Sequence, residues 1–505
     1  MVDTRLHQNV VILGGGTAGW MTAAGLASLL GSTGISVTLV ESEAIGIVGV
    51  GEATLPHLRF FNQSIGINEL EFMAATRATV KLGIEFVDWG RKGDSYIHPF
   101  GDYGLPNDGI GFHHFWRKFA NGAGPICDYS LPVLMAREGK FAPPSSDDRS
   151  VLSTYRFAYQ MDATAYAPFL RKHAEQRGVT RIEGRVVSVQ RADNGDIASI
   201  GLESGETVAG DLFIDCSGFK GLLIEEALET GYEDWTQWLP CDRAVAVACE
   251  HAGPLLPYTR ATAREAGWQW RIPLQHRTGN GHVYCSAFLD DQDAEDRLVQ
   301  SLEGRPIAQP RQLRFTTGKR RKLWNRNCVA IGLSGGFLEP LESTSIYLIQ
   351  QGITYLAELF QATGRVETAQ NEYNRMMDLE FDRIRDFLLL HYVATERDDT
   401  PFWRAMRAAT LPDSLQEKIE LFKTSGQVET YDHGLFLEPS WVAVYLGQRV
   451  TPDSYDPRVD QFPGQETRNR LAGLKTHMAK ATAGLPSHAD WIARNCPAPE
   501  DLAVA

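Results

Sequence analysis

The chain has 505 residues, 43% hydrophobic and 22% charged, which is the composition of a globular protein long enough for two subdomains around one large core. Its formal net charge of −14 argues against a nucleic-acid partner, because phosphate binding requires clustered Lys and Arg. Seven cysteines without a C-x-x-C pair predict neither a disulfide framework nor a metal site. The sequence has no signal-like N-terminus and no apolar run of membrane-spanning length, so we expect a cytoplasmic protein with no membrane partner.

The beginning of the chain predicts one βαβ unit. An apolar strand at 9–13 runs into the sequence GGGTAGW, and an alanine-rich helix follows over 17–30. A second apolar strand covers 37–42. The size and order of these elements are those of a single βαβ unit.

A G-x-G-x-x-G motif, formed by Gly14, Gly16 and Gly19, joins this first strand to the helix. Glycines there let the backbone turn tightly and approach a pyrophosphate, which rests at the positive end of the helix. Glu41, at the end of the second strand, is placed to bind a ribose 2′-hydroxyl. The motif alone is a weak signal, and a glycine-rich turn is the alternative, but this context favours a dinucleotide site.

The middle of the chain predicts mixed helices and loops, followed by two regions rich in strands. Helices and loops cover 60–180, and 185–218 reads as a β-meander that ends in a buried strand. The segment 240–320 is again rich in strands. The one dense basic run, GKRRK at 318–322, predicts a solvated turn between two strands.

The last third of the chain predicts mainly helices. After a strand at 328–332, apolar residues recur at spacings of three and four and predict a helix that starts near Ser343. Residues 365–430 also read as helical, whereas roughly the last 70 residues, rich in Pro, Asp and Gly, predict irregular structure. The apolar face of the first helix consists of Ile346, Ile349, Ile353, Leu356 and Phe360.

Two downstream segments, GDLFIDCSGF at 210–219 and CVAIGLSGGFLEP at 328–340, look like further parts of a nucleotide site. One βαβ unit joined by distant strand ends resembles the FAD-binding fold of flavoprotein monooxygenases more than a simple dehydrogenase. The chain lacks a second G-x-G-x-x-G for a nicotinamide, so electrons must come from outside. We expect an α/β fold with a FAD-binding Rossmann-like core over 1–345, which includes a β-rich part at 180–330, and a mainly helical substrate-side subdomain over 346–505 packed on the core.

The stretch GWQWRIP at 267–273 contains two tryptophans one residue apart. A β-strand points Trp268 and Trp270 to the same face, where they form a flat and stiff apolar wall that continues to Ile272 and Pro273. The alternative for a pair of tryptophans is plain core packing.

GWQWRIP is similar to the Trp-x-Trp-x-Ile-Pro signature of flavin-dependent halogenases. The resemblance extends to GGGTAGW, VGVGEAT at 48–54, LEPLEST at 338–344 and HYVATERDDTPFW at 391–403, and is closest to the tryptophan/indole halogenases. It implies that FADH2 and O2 oxidise a bound chloride or bromide to hypohalous acid, which passes the wall to a separate, indole-type aromatic substrate. It also implies a separate NAD(P)H flavin reductase, and a homodimer is a further expectation.

Three residues match catalytic positions of that family. Lys81, in the apolar stretch TRATVKLGIEF, for which we predict a helix, matches the active-site lysine, which either hydrogen-bonds hypohalous acid or is itself halogenated. Glu342 matches a glutamate that polarises the oxidant or takes the ring proton, and Ser343 matches the serine between the flavin and the substrate. The alternatives are a snorkelling surface lysine and an acidic residue that stabilises the first turn of a helix.

The resemblance assigns a halide site to the backbone amides of Thr344 and Ser345, at a helix N-terminus that favours anions. Tryptophan halogenases usually carry Gly at the position of Ser345. A side chain there changes the space around the halide, so we hypothesise a preference for the larger and more easily oxidised bromide.

The aromatic pair that stacks on the substrate indole in the family matches His98 and Phe100. Free-tryptophan halogenases also carry a tyrosine pair that holds the amino acid, and this chain has Trp441 and Val442 there. Neither residue offers a phenolic hydroxyl. We therefore expect indole, a substituted indole or a larger indole-bearing molecule rather than free tryptophan, with Trp441 in the substrate site.

The resemblance further implies FAD contacts from the glycine-rich loop, the second strand, the segment after it and three downstream positions. These residues are Gly14, Gly16, Thr17, Ala18, Gly19, Glu41, Ser42, Ile45, Val48, Val50, Ala53, Val187, Leu333 and Ile346.

Two other functions share this fold. A flavin monooxygenase that hydroxylates an aromatic ring needs its substrate beside the flavin, and it has no use for the tryptophan wall or for Lys81 with Glu342. A non-catalytic FAD-fold binding protein, such as a prenyl-protein escort, has no use for the same catalytic pair. Both functions are therefore less favoured by this sequence.

Overall fold

The computed structural model describes residues 8–31, 34–45, 51–119, 124–360, 366–429, 431 and 434–499. The strands are β1 (Gln8–Leu13), β2 (Ile35–Glu41), β3 (Gly51–Ala53), β4 (Thr79–Lys81), β5 (Gly83–Val87), β6 (Ser95–Pro99), β7 (Ala158–Asp162), β8 (Thr180–Glu183), β9 (Val186–Arg191), β10 (Ile197–Leu202), β11 (Thr207–Ala209), β12 (Leu212–Asp215), β13 (Tyr232–Asp234), β14 (Arg243–Cys249), β15 (Thr259–Arg264), β16 (Gly267–Pro273), β17 (Thr278–Tyr284), β18 (Arg311–Arg314), β19 (Gly318–Arg320), β20 (Trp324–Asn325), β21 (Cys328–Ala330) and β22 (Gly336–Phe337). The helices are α1 (Thr17–Leu30), α2 (His57–Ser64), α3 (Glu69–Ala75), α4 (Phe112–Phe119), α5 (Leu131–Arg137), α6 (Ala163–Glu175), α7 (Asp291–Gln300), α8 (Ser345–Leu359), α9 (Val366–Val393), α10 (Pro401–Arg407), α11 (Asp413–Ser425), α12 (Glu438–Gly447), α13 (Gly464–Ala483) and α14 (His488–Asn495).

The predicted βαβ unit is confirmed and lies inside a six-stranded sheet with the order β20-β21-β12-β1-β2-β8. Strand β1 is parallel to both β2 and β12, and β12 is parallel to β21. Helix α1 has the predicted bounds, Thr17–Leu30. The two downstream segments therefore meet the first strand in space, as the sequence predicted, because parallel strands align their carboxyl ends at one edge.

A second sheet has seven strands in the order β18-β14-β17-β16-β15-β5-β6 and contains the tryptophan strand β16 near its middle. Strand β5 is parallel to β15, and a separate small sheet pairs β3, β7 and β4. Because β4 ends at Lys81 and β5 begins at Gly83, one short connection joins the small sheet to the sheet that carries the wall. This connection fixes the predicted lysine relative to the wall.

The meander predicted at 185–218 is also confirmed. Strands β9, β10 and β11 form an antiparallel three-stranded sheet, and the chain then enters the buried strand β12 of the six-stranded sheet.

The basic run at 318–322 departs from its prediction. Strand β19 includes Lys319 and Arg320, both buried, and only the two residues after it form the exposed turn. The Lys319 ammonium lies 2.7 Å from an Asp378 oxygen, and the Arg320 guanidinium lies 2.6 Å from a Glu225 oxygen. The solvated-turn prediction is wrong for β19 because nearby carboxylates allow these cations to be buried.

The region after α8 is helical, as predicted, but the prediction of an irregular C-terminus is wrong. Helices α12, α13 and α14 occupy much of it, and the packing of their buried faces outweighs the Pro and Gly between them. One hydrophobic core includes residues on both sides of the proposed boundary at 345, so the two-domain division stays a prediction. Among the described helices, none is long and apolar enough to cross a membrane.

Candidate active site

A cavity of about 1270 Å³ extends from the glycine-rich loop to the tryptophan wall. A Cβ atom built on Gly14 would lie 2.3 Å from the Cys216 carbonyl oxygen, and one on Gly19 would lie 1.8 Å from the Gly14 carbonyl oxygen. Gly14 also has φ +116°, a conformation that favours glycine. At Gly16 a Cβ would meet nothing within 4 Å, so the space before helix α1 is open. This cradle fits a pyrophosphate against the helix N-terminus.

The predicted ribose-binding residue, Glu41, lines this cavity and is 13% exposed. Its carboxylate is paired with Arg181, lies 3.8 Å from Arg171 and accepts a hydrogen bond of 3.3 Å from the Trp20 indole. These partners hold the carboxylate at the end of β2, where a nucleotide ribose needs an acceptor.

Most of the other predicted FAD contacts also line the cavity. Val187 does not: it is 59% exposed, and Val186 lines the cavity in its place, because successive residues of a strand point to opposite faces. Gly19 does not line the cavity either, and its lack of a side chain lets helix α1 pack closely against the Gly14 carbonyl group. Val48, Val50 and the side chain of Ile45 lie outside the described residues. The predicted residues that line the cavity are Gly14, Gly16, Thr17, Ala18, Glu41, Ser42, Ala53, Leu333 and Ile346.

The tryptophan wall forms the far side of the cavity. Trp268, Trp270 and Ile272 line it together, as alternation along β16 predicted, with the two indole centroids 6.0 Å apart. Pro273 closes the strand opposite Thr278 and does not line the cavity. A Cβ on Gly281, in the neighbouring strand, would lie 2.1 Å from the Trp270 ring, so glycine there makes room for the indole.

Lys81 ends strand β4, so the helical interpretation of its surroundings is wrong. Its side chain is fully buried, which also excludes a snorkelling surface lysine. The Nζ atom donates hydrogen bonds of 2.8 Å to Ser343 Oγ and 3.1 Å to the Thr54 carbonyl, and it lies 5.1 Å from the Phe100 ring centroid. Burial lowers the pKa of Lys81 to about 7, although the charge of Glu342 opposes part of this decrease.

Glu342 is fully buried and lies between two histidines. His98 Nδ1 is 2.9 Å and 3.0 Å from its two carboxylate oxygens, and His391 Nε2 is 3.0 Å from one of them. Burial by itself raises the pKa of Glu342, but the charge of His98 and the hydrogen bond from His391 outweigh it and lower the pKa to about 2. The carboxylate is therefore ionised at neutral pH.

Ser343, the residue after Glu342, is the point at which the chain passes from the buried carboxylate to the cavity. It has a left-handed backbone (φ 61°, ψ 38°), follows the 3₁₀ turn Pro340–Glu342 and lines the cavity. Its hydroxyl accepts the hydrogen bond from Lys81, so one residue contacts both the cavity and the lysine. Helix α8 begins two residues later than predicted, at Ser345, because Ser343 is not helical. Thr344 is buried as its N-cap and Ser345 lines the cavity, so the N-terminus of α8, where backbone amides favour anions, lies beside Ser343.

The three predicted substrate-binding residues have different surroundings. Phe100 lies beside Lys81, whereas the His98 ring is engaged with Glu342. Trp441 is only 2% exposed, and its indole lies edge-on against Phe387 at 5.1 Å and donates to the Phe436 carbonyl.

Sequence reasoning missed several residues of this site. His391 was visible only as the first letter of the HYVATERDD motif, and nothing in the sequence assigned it to Glu342. Phe387 and Phe436 stack 3.8 Å apart near His98, an arrangement that only the packing of α9 against the later loop produces. Glu52 lines the cavity, and burial raises its pKa to about 7.

The sequence profile described as "Tryptophan halogenase" matches residues 9–464. The chain belongs to the tryptophan halogenase family. It is 37% identical to tryptophan 6-halogenase SttH of Streptomyces toxytricini, over 88% of this chain and 90% of that protein. Members of this family are flavin-dependent enzymes that use FADH2, halide and O2, and a hydroxylase function is not favoured.

Two solved structures of family members are similar to this halogenase over nearly its whole length. Xcc4156, a flavin-dependent halogenase from Xanthomonas campestris, has a TM-score of 0.94 at 47% identity and covers 98% of this chain and 99% of its own. BrvH, from Brevundimonas sp. BAL3, has a TM-score of 0.93 at 45% identity and covers 98% and 100%. The fold prediction of a FAD-binding Rossmann-like core with a helical C-terminal region is confirmed.

Proposed function

We propose that this halogenase oxidises halide in the cavity and transfers the halogen to an indole-type substrate beside Lys81 and Glu342. The observation that carries the proposal is the position of Ser343, which lines the cavity and accepts a hydrogen bond from Lys81. An oxidant that leaves the cavity at Ser343 meets the lysine directly. The glycine-rich loop and Glu41 would hold the flavin, and FADH2 bound there would supply the electrons with which O2 is activated to oxidise halide.

Lys81 then orients or carries the electrophilic halogen. Because its pKa is lowered to about 7, ammonium and amine forms coexist near neutral pH. The ammonium donates a hydrogen bond to hypohalous acid, and the amine can form a haloamine. Both routes deliver the halogen to the same place.

Glu342 takes the proton that the aromatic ring loses. The new carbon–halogen bond forms first, the ring C–H bond then breaks, and its proton passes to the Glu342 carboxylate. A weak base is sufficient because a protonated arene is a strong acid. The two histidines keep this carboxylate ionised and fix its direction.

The substrate is indole, a substituted indole or a larger indole-bearing molecule rather than free tryptophan. Helix α12 presents Trp441 and Val442, each 2% exposed, and neither has a hydroxyl for an amino acid's polar groups. The aromatic side chains near His98 suit a flat ring. A separate NAD(P)H flavin reductase supplies FADH2, and the homodimer stays a prediction.

A product analysis by mass spectrometry tests the proposal. Protein is supplied with FAD, a flavin reductase, NADH and O2, and with indole or tryptophan in bromide, in chloride or without halide. We expect halogenated indole that is lost in Lys81→Ala and kept in Lys172→Ala, a matched change at an exposed lysine. Hydroxylated indole formed without halide would contradict the proposal.

The same assay with equal bromide and chloride tests the hypothesis on Ser345. We expect mainly brominated product, because a side chain at this position changes the space at the start of α8. A product mixture that contains only chloroindole contradicts the hypothesis, and Ser345→Gly shows whether the side chain sets the ratio.

A further inference from the structure

A second buried carboxyl lies in the same turn as Glu342 and has no part in the proposed chemistry. Glu339 precedes it by three residues and is fully buried. Within the described residues, no hydrogen bond of 3.5 Å or less reaches either of its oxygens. The polar groups that face the carboxyl are the Tyr392 hydroxyl, the Trp268 indole N–H and the Cys241 thiol.

The two carboxyls face two consecutive residues of helix α9. His391 contacts Glu342, and Tyr392 faces Glu339. His98 and His391 lower the pKa of Glu342 to about 2, whereas burial without a histidine partner raises the pKa of Glu339 to about 7. Carboxyls whose surroundings separate their pKa values in this way commonly have different roles.

The position of Glu339 relative to the wall indicates its role. Its chain neighbours Leu338 and Pro340 line the cavity, but Glu339 is buried outside the lining. Trp268 does line the cavity, and its indole N–H faces Glu339. This N–H is buried and has no hydrogen bond of 3.5 Å or less among the described residues. The indole therefore contributes to the cavity lining while its buried N–H group faces this carboxyl.

This orientation matters because the wall is made of the same ring that the enzyme halogenates. Hypohalous acid attacks the pyrrole side of an indole, where a carbon–halogen bond replaces a C–H bond and water leaves with the displaced proton. A Trp268 ring free to rotate would expose this side to the oxidant formed in the cavity. Burying an unpaired carboxyl and an unpaired indole N–H is costly, so each is the natural partner of the other.

We propose that Glu339 is a positioning residue that holds the pyrrole edge of Trp268 away from the cavity and so protects the wall from the enzyme's own oxidant. The inference rests on the proposed function for the presence of hypohalous acid. The test uses added oxidant, so that a failure of this inference can be distinguished from a failure of the proposed function.

The test compares wild type with Glu339→Gln and Glu339→Leu after stepwise addition of dilute hypobromite. Trypsin releases the peptide 265–271, and its fragment ions distinguish bromination or oxidation at Trp268 from that at Trp270. We expect modification of Trp268 to rise on the order of 5- to 10-fold in Glu339→Leu, because the polar group that faces the indole N–H is then lost. In Glu339→Gln, which retains an acceptor, we expect a value near that of wild type.

Two controls distinguish a loss of Trp268 positioning from partial unfolding of the protein. Tyr392→Phe removes another group that faces Glu339 but leaves the Trp268 contact, and we expect little change at Trp268. Trp403, which is buried and does not line the cavity, reports unfolding. Equal Trp268 modification in wild type and Glu339→Leu, or an equal rise in Tyr392→Phe, overturns the proposal. If Glu339→Leu does not fold, Glu339→Met provides the same comparison.

Discussion

At the scale of single residues, the site is built on buried charges whose partners decide their state. His391 Nδ1 donates to the Phe387 carbonyl at 2.8 Å, which fixes the ring so that Nε2 lies 3.0 Å from a Glu342 oxygen. The contacts with His391 and His98 offset the cost of burying this carboxylate away from water. Lys81 has two hydrogen bonds to neutral acceptors, and these partners do not offset its desolvation, so its pKa is lowered.

Replacing Lys81 with methionine should stabilise the protein while it abolishes halogenation. Below about pH 7, the approximate pKa of Lys81 in the folded protein, the native protein buries a charged lysine. Between about pH 7 and the ordinary lysine pKa of 10.5, this lysine is neutral in the native protein but charged in the unfolded protein. Wild-type stability from this group therefore rises with pH over that window. We expect Lys81→Met to be more stable by ~2 kcal/mol near pH 6, with less gain near pH 9.

Thermal unfolding of both proteins across this pH range measures the effect. The exposed Lys172→Ala change serves as control and should show no pH-dependent difference. A Lys81→Met protein that is less stable than wild type at pH 6 would show that the ammonium is well paired in the native state.

At the scale of elements, the C-terminal helix α14 holds the strand that carries Lys81. His488 is fully buried; its Nε2 accepts a 3.1 Å hydrogen bond from the Val80 N–H, and its Nδ1 donates to the Leu255 carbonyl at 2.9 Å. Burial lowers the pKa of His488 to about 4, so the ring is neutral in the working range of pH. Residues separated by more than 400 positions thus share one hydrogen-bond network.

The change His488→Ala should leave both backbone groups unpaired and destabilise the protein by about 2–4 kcal/mol. We also expect a lower kcat, because β4 then holds Lys81 less firmly against Ser343. His477→Ala, at an exposed position of α13, is the matched control. Denaturant unfolding and the halogenation assay report the two effects. Unchanged stability in His488→Ala would mean that the helix does not support the strand.

At the scale of the whole molecule, three distant segments create the cofactor cavity. The glycine-rich loop follows β1, Cys216 follows β12, and Leu333 follows β21, and these strands are neighbours in the six-stranded sheet. The second sheet supplies the wall on the opposite side. Binding of FAD should therefore stabilise the packing of the two sheets together.

We expect FAD at about 100 times its Kd to stabilise the wild type by about 2.7 kcal/mol against thermal unfolding. In Gly14→Ala this shift should be lost, because the new Cβ would lie 2.3 Å from the Cys216 carbonyl oxygen. Gly473→Ala is the matched control, since a Cβ there meets nothing within 4 Å. An equal FAD shift in Gly14→Ala and wild type would contradict the assignment of the cradle.

The elements that were predicted correctly from the sequence are those that depend on interactions between residues close together in the chain. Helix α1 and the βαβ unit follow from hydrophobic periodicity and a glycine-rich turn, and the alternation along β16 placed two indoles on one face. The parts predicted poorly depend on distant partners. Buried Lys319 and Arg320 need carboxylates from other elements, and the strand around Lys81 forms only by pairing with β7.

The sequence by itself determined the family and the nucleotide-binding unit and singled out Lys81, Glu342 and the wall as candidates, because these depend on residue type and short spacing. Only the tertiary structure decided how they act together. It brought His391 to Glu342, His488 to the lysine strand and Glu339 behind Trp268, each across a long stretch of chain. Packing selects such partners by shape and by the cost of unpaired buried polar groups, and neither quantity is visible in a local pattern.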